Sequence, residues 1–446
     1  MKNLILYFSL MIGLSLWAQE DPLILDLESA IAYGLENNPT VQNANLEIQK
    51  AYKERWATIA IGLPQINVQG SYQNFLELPV SLVPAQFFGG NEGEFAEVQF
   101  GTTQNMVGSV QVTQLLFDGS YIVGVKASNV FLTISELGLE KTNLEVRKAI
   151  IDAYGTVLLA EENSKILEKN KANLESTLAE TQMIVANGFA EEENAEQLQL
   201  TLSRLNAQLD YANNLKQITT SMLQWILGMP EQTPVVLSQN LEELAALKMM
   251  ESKNVEPRSI ENNVDLKFAQ NNKESELLLY RYEKSKALPS LSAFVNGTYT
   301  GNSDEFTFTE SNQKWFGSSL FGINLQVPIF SSLMRSAKTQ KAKLALEQAE
   351  TELTDTRNRL TLELQMAENE MALALKNYSS SKADLALAER IEQKNKRKFL
   401  EGMSSSFELR QAQQQLYTTQ GQYLQSMKTV IDAKTNLETL TNTPIQ

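Results

Sequence analysis

Leu63-Pro64-Gln65-Ile66-Asn67-Val68-Gln69-Gly70-Ser71-Tyr72 returns later in the chain as Leu288-Pro289-Ser290-Leu291, then Val295-Asn296-Gly297-Thr298-Tyr299. In the first copy Ile66, Val68, Gly70, Tyr72, Leu76 and Leu78 alternate with Gln65, Asn67, Gln69, Ser71 and Gln73; in the second Leu291, Ala293, Val295 and Tyr299 keep the beat. Period two with one apolar face is the mark of a β-strand. A second run, Val98 to Val112, sets Val98, Phe100, Met106, Val110 and Val112 against Gln99, Thr103, Asn105, Ser109 and Gln111. Its counterpart sets Phe321, Ile323, Leu325 and Val327 against Asn324 and Gln326. Strands are therefore expected at 65–78, 98–112, 290–300 and 316–327.

The repeat extends further. Leu115-Leu116-Phe117 returns as Pro328-Ile329-Phe330 and Asn187-Gly188 as Glu401-Gly402, with offsets from 213 residues (Phe117 to Phe330) to 227 (Gln69 to Asn296). So long a period means duplication of a domain-sized unit. The expected plan is a signal segment 1–18, a first repeat 19–228 with a helical hairpin at 120–227, a connector 229–258, and a second repeat 259–446 with a hairpin at 333–441. Within each repeat the order is helix, two strands, long hairpin.

About 12 residues at about 3.3 Å, tilted about 45°, rise roughly 28 Å, the depth of a bilayer's hydrocarbon. The polar face carries uncharged side chains, as a wet lumen allows. Tyr72, Phe75, Phe100, Phe117, Tyr299, Trp315, Phe316 and Phe330 stand at the ends, where an interfacial girdle lies. Alternation with aromatics alone also fits a soluble sheet. The segments Glu77 to Glu97 and Gly301 to Lys314 suit external loops.

The helices carry the stronger signal. From about Ser120 to Ala186 and Leu333 to Leu400 there is no proline, and at about 1.5 Å per residue each run is about 100 Å long. Heptads hold: Leu137, Leu144, Ile151 and Leu158; Leu353 and Leu360; and, in the last helix, Leu409, Leu416, Tyr423, Val430 and Leu437 beside the smaller Ala412, Thr419, Ser426 and Ala433. A large stripe beside a small one suits packing on two sides, though a plain coiled coil has the same pattern. The hairpins turn at Asn187-Gly188-Phe189-Ala190-Glu191 and Glu401-Gly402-Met403-Ser404-Ser405-Ser406, glycine ending one helix and Ser405 or Ser406 capping the next. The connector, with Pro230, Pro234 and Pro257 around Leu241 to Met250, reads as wrapped outside the hairpins.

Composition narrows the function. The 446 residues hold no cysteine and no histidine, so thiol nucleophiles, disulfides, imidazole bases and the usual zinc ligand sets are absent. With 38 Lys+Arg against 53 Asp+Glu the formal charge is −15, against a nucleic-acid partner. Lys2 followed by Leu4 to Leu16, with Ala18 as cleavage point, reads as an export signal. No later uninterrupted apolar run spans a bilayer as a helix. No phosphate-binding loop occurs, so energy comes from a partner. Glu191-Glu192-Glu193 reads as a solvated acidic cap rather than a cation site, and Met249-Met250 as a buried face rather than a soft-metal step.

Membrane strands must have paired edges, and four are too few to close. A dimer gives eight, the smallest closed barrel, filled by its own side chains; a trimer gives twelve and leaves room for a water path. A conduit calls for the trimer.

From about Leu25 to Thr441 the chain resembles the TolC-like outer-membrane efflux proteins. The resemblance rests on Leu25-Asp26-Leu27-Glu28-Ser29-Ala30 with Asn37-Asn38-Pro39, Pro64 and Pro289 before the strands, Phe117 and Phe330 before the long helices, and glycine tips in both copies. It implies a mainly α protein with a membrane β-barrel: a trimer with a 12-stranded barrel in the outer membrane and a 12-helix periplasmic tunnel. The implied partners are a periplasmic adaptor and an inner-membrane transporter, with no cofactor. The family's acidic entrance pattern falls on Glu408, with Gln411 departing at the second acid and Asn194 at the first tip's corresponding position. Ser404 and Phe399 stand where the family's best-known lock has Arg and Tyr. The tips, Gly188, Phe189, Glu191, Glu192, Glu193, Gly402, Met403, Ser404 and Ser405, would dock the adaptor. Opposite charges offer a substitute lock: Arg390, Lys394, Lys396, Arg397 and Lys398 approach the second tip, and Glu191, Glu192, Glu193 and Glu196 leave the first. They are expected either to pair between neighbouring hairpins or simply to complement helix ends.

The expected function is a passive exit duct in tripartite efflux, opened by an iris-like rearrangement of the hairpins. A type I protein secretion duct is an alternative within the class. A coiled-coil envelope protein is the rival outside it, and a carboxylate hydrolase lacks a converging pair of acids.

Overall fold

The structure, a computed structural model, describes residues 23–230, 233–253 and 258–442. The expected export signal lies outside them. The chain forms two compact units, and neither is a repeat. One takes Met1–Glu47, Glu136–Phe268 and Leu353–Gln446; the other takes Ile48–Ser135 and Ala269–Glu352. Each draws on both copies, because a lone strand pair or hairpin cannot bury its own apolar face.

The smaller unit is built on four strands: β2 (Gln65–Asn74), β5 (Gln104–Asp118), β7 (Ser290–Ser303) and β8 (Trp315–Gln326). Within the first repeat's loop lie β3 (Val80–Pro84) and β4 (Phe95–Gln99); β1 (Leu23–Leu25) and β6 (Val235–Leu237) belong to the other unit. The sheet is antiparallel in the order β2-β5-β7-β8. Its register aligns Ile66, Val112, Val295 and Phe321 on one face, then Gln69, Ser109, Thr298 and Ser318 on the other. The alternation read from sequence thus becomes one apolar and one polar surface across all four strands. Phe294, Phe316 and Leu320 interrupt the polar side.

Two strand boundaries differ from expectation. β2 stops at Asn74 rather than 78, and the second strand runs 104–118 rather than 98–112. Gly101, at φ 102°, breaks the run, and Val98 belongs to the separate β3–β4 hairpin; the shared parity on both sides of the glycine conceals the break. At the loop end Tyr72, Phe306, Phe308 and Trp315 pack ring against ring, with centroids 5.6 to 6.2 Å apart, a geometry that favours edge-to-face contact.

The larger unit holds most of the helices. α1 (Leu27–Asn37) is followed by α2 (Pro39–Ala60); α3 (Gly119–Ala186) and α4 (Glu192–Leu227) make the first hairpin; α5 (Leu241–Lys253) and α6 (Val264–Ser285) come next; α7 (Met334–Leu400) and α8 (Ser406–Thr441) make the second. α8 buries both stripes: Leu409, Leu416, Val430 and Leu437, and beside them Ala412, Thr419, Ser426 and Ala433. The main core gathers Leu25, Ile31, Ile150, Tyr154, Leu223, Leu227, Leu244 and Ile431. The connector is part of this core rather than a wrapping. Leu241, Leu244 and Ala245 of α5 are buried in it, and β6 pairs in parallel with β1. Tyr154, fully buried, donates to Leu25 O at 3.1 Å and to Gln239 Oε1 at 3.4 Å, and that same amide oxygen takes the Leu27 N–H. Gly228 ends α4 at φ 74°, where a Cβ would stand 2.5 Å from Asn37 O.

The expectation of no membrane-length helix needs one correction. α3 is apolar enough over part of its length to cross a bilayer by length and composition. An averaged stretch tolerates the charges that interrupt a strict apolar run, and only 17% of that stretch is buried in the protein.

Candidate functional site: the hairpin tips

Both tips close by the same physics. Gly188 at φ 80° and Gly402 at φ 72° sit in the left-handed region where a side chain is strained. Asn187 N–H returns to Met183 O and Met403 N–H to Lys398 O. Phe189 and Met403 then stand exposed, Phe189 at 84%. The helix starts beyond the two glycines are unlike. Ser405 opens α8 with a full capping box: its hydroxyl accepts the Glu408 N–H at 3.3 Å and the Glu408 carboxylate accepts the Ser405 N–H at 3.3 Å. Glu191 caps α4 with no side-chain bond.

Glu408 and Asn194 are the third residues of their helices, so the structure gives them equivalent places in the two tips. Glu408 is exposed and takes a hydrogen bond from Ser404 Oγ; that bond, the Ser405 N–H and nearby Lys398 hold its carboxyl below the ordinary value of 4.5. Gln411 is exposed one turn on, and Asn194 is half-buried. The two lock positions do other work. Ser404 anchors Glu408, and Phe399 is buried with Leu174, Leu178, Leu198, Leu202 and Leu409. That cluster joins all four long helices just behind the tips, and Ser406 Oγ donates to Gln197 Oε1 at 3.2 Å beside it. At the first tip a recess of about 340 Å³ opens between α3 and α4, bordered by Gln182, Val185, Glu192 and Glu196.

The charge clusters do not meet within one chain. Among the described residues, none of Arg390, Lys394, Lys396, Arg397 and Lys398 lies in an ion pair with Glu191, Glu192, Glu193 or Glu196. Arg390 Nε instead donates to Ala386 O at 3.3 Å. Glu392, one turn before Lys396, has its carboxyl raised by burial, which Lys396 partly offsets; the adjacent Tyr417 phenol is pushed up to about 12 by burial and by Glu392.

Two features escaped the sequence reading. The first is a seam on α4: Tyr211, Leu215, Ile218, Met222 and Trp225 are spaced by four and three, yet all are exposed, Trp225 at 75%. α7 matches it with exposed Leu362, Met366, Leu373 and Leu387. The spacing was legible; that these faces stay uncovered was not. The second is an ionic network in which Lys248 and Lys428 are buried while Asp152 and Asp432 stay exposed. Lys428, passing over Gly155, reaches Asp152 and Asp432, while Glu438 faces Arg147 at 3.4 Å, Lys248 at 3.6 Å and Lys434 at 3.2 Å. Lys428-x-x-x-Asp432 and Lys434-x-x-x-Glu438 read in sequence as ordinary solvated helix pairs. The methionine pair divides: Met249 packs into the core and Met250 is exposed.

Residues 257–443 match the family model of the outer membrane efflux protein. The chain as a whole has the fold of solved outer-membrane channel proteins. It superimposes with TM-score 0.71 on CusC, a protein described for its folding and transmembrane channel formation, at 17% identity over 94% of this chain and 93% of that one. VceC, an outer membrane protein of Vibrio cholerae, gives 0.71 at 13% identity over 93% and 95%, and the CmeC outer membrane channel of Campylobacter jejuni gives 0.71 at 16% over 93% and 85%. No curated protein matches the chain. The family and these folds are those of outer-membrane channel proteins, not enzymes.

Proposed function

We propose that the chain is one subunit of a homotrimeric outer-membrane duct, a passive exit for substrates delivered by an inner-membrane transporter through a periplasmic adaptor. The observation that carries this reading is the open sheet. β2 and β8 are its edges and almost every residue on them is exposed, Val68 at 77% and Phe321 at 68%. An edge in hydrocarbon must be paired, and β8 of one copy against β2 of the next continues the antiparallel alternation. Three copies make twelve strands, with the polar face around water and the apolar face toward lipid. The uncovered seams on α4 and α7 support the same neighbour relation, since a head-to-tail contact that closes makes a ring, here of twelve long helices. The tips are the adaptor's docking surface, and Glu408 supplies a negative entrance that favours cations.

Single cysteines along β2 and β8 test the arrangement. Oxidation is expected to link copies between these two strands, to give a heat-modifiable trimer that requires detergent, and to accompany discrete conductance steps in a planar bilayer. A freely soluble elongated monomer, with no cross-links and no conductance, would show the structural-protein reading to be right instead.

A further inference from the structure

At the foot of the sheet a recess of about 480 Å³ lies against the polar face, within the range of about 300–1,000 Å³ of drug-sized ligand sites. Its three β-strand walls come from Gln65, Thr113 and Ser292, all on the polar side of the register. Ile61, Leu115, Tyr121 and Tyr282 supply an apolar and aromatic body. The polar groups comprise two acceptors, on Gln65 and Asp118, and hydroxyls, among them those of Thr113, Tyr282 and Ser292. Gln65 spends its Nε2 on Ala60 O at 2.8 Å and Leu63 O at 3.1 Å, leaving its carbonyl oxygen. Asp118 receives Ser120 N–H at 2.7 Å and Tyr121 N–H at 2.9 Å through Oδ1, leaving Oδ2. Among the described residues no lysine or arginine borders the space. A largely apolar and aromatic space that holds one carboxylate and several hydroxyls, with no cation at its border, suits a ligand with an aromatic body and a donor, neutral or cationic, and disfavours an anion.

We propose that this recess is a binding site for drug-sized aromatic amphiphiles without negative charge. Its position on the transport route rests on the duct reading, because there the polar face borders the water path; such a site would hold one class of cargo as it passes from helices to barrel.

Gly124 of α3 borders the recess, and a Cβ at that position meets nothing within 4 Å. Gly124→Leu therefore adds bulk at the border of the recess, where its first added carbon meets no neighbour, with a better helix former, and Gly124→Ala is the matched control. The probes are phenylnaphthylamine, which is neutral, and anilinonaphthalene sulfonate, the same ring frame with an anion, titrated by fluorescence into the detergent-solubilised full chain. The expected result is saturable phenylnaphthylamine binding, at least tenfold weaker in Gly124→Leu, within twofold in Gly124→Ala, and at least tenfold weaker for the sulfonate. Ser292→Val, which removes a hydroxyl and adds bulk from the opposite wall, is expected to weaken binding as well. Equal binding by the wild type and both filling variants, or no saturable binding at all, overturns the site; equal binding of the sulfonate overturns the ligand class. Conductance of the wild-type chain is read separately: a working pore with no probe binding sinks the site alone, and absence of a pore sinks the duct.

Discussion

Glu408 shows how a single side chain can hold two offices. Its carboxylate completes the cap of α8, and the Ser404 hydroxyl, the Ser405 N–H and Lys398 favour its ionised form. A carboxyl held below its unfolded value stabilises the fold fully above about pH 4.5, the ordinary value, and that contribution is lost as pH falls through the lower folded value. If Glu408 lines the entrance as proposed, the cation preference it carries is therefore expected to survive acidification past the ordinary carboxylate range. Ser404→Ala should move its loss to higher pH, as reversal potentials across a salt gradient would reveal; an unshifted profile would remove Glu408 from the entrance. Lys428 offers a stability counterpart. Its stem covers Gly155 and its ammonium stands between Asp152 and Asp432, and burial raises the Asp432 carboxyl even with that partner present. Lys428→Met keeps much of the packing but leaves two solvent-reached carboxylates facing each other, and should cost about 1 kcal/mol, seen as a lower unfolding midpoint in detergent at neutral pH. The cap is written in Ser405-x-x-Glu408, but the part Lys428 plays is not, since a lysine four places before an aspartate reads as a surface pair.

At the level of strands and helices much was legible. Ile66, Val68 and Tyr72 fix the phase of β2, and the two stripes of α8 are where their spacing puts them. What sequence hid is long-range. The parallel β1–β6 pair joins residues more than two hundred apart through three-residue strands, too short for any period to register. Gly101 split an apparently continuous run because alternation survives a kink of even parity. The tip charges are a similar case: proximity along the helices suggested pairing, yet the two hairpins of one chain leave those groups apart. If they pair between copies, changing Glu191, Glu192 and Glu193 to Lys should raise single-channel conductance, and reversing Arg390, Lys394, Arg397 and Lys398 as well should restore it. Unchanged conductance would leave them as helix-end electrostatics, about 0.3–1 kcal/mol each. The end of α4 makes its own demand: Gly228→Ala brings both a disfavoured φ and a Cβ 2.5 Å from Asn37 O, so it should destabilise by more than about 1 kcal/mol, measured as thermal midpoint.

For the assembled molecule the seams decide. Tyr211, Ile218 and Trp225 on α4 place large apolar groups in solvent unless another chain covers them. If the proposed trimer forms, Ile218→Glu with Trp225→Glu is expected to leave each subunit folded by circular dichroism while abolishing that trimer in sizing by light scattering; an intact trimer would deny α4 a place between copies. The duplication told from sequence that two similar units exist, but not that each compact body borrows from both. That borrowing has a consequence for biogenesis. The cluster around Leu25 and Ile31 is completed by Leu424, Met427 and Ile431, so among the described residues those made first wait for nearly the last. Until α8 has been made the growing polypeptide has no finished keystone, and this core can close only when almost the whole chain is present.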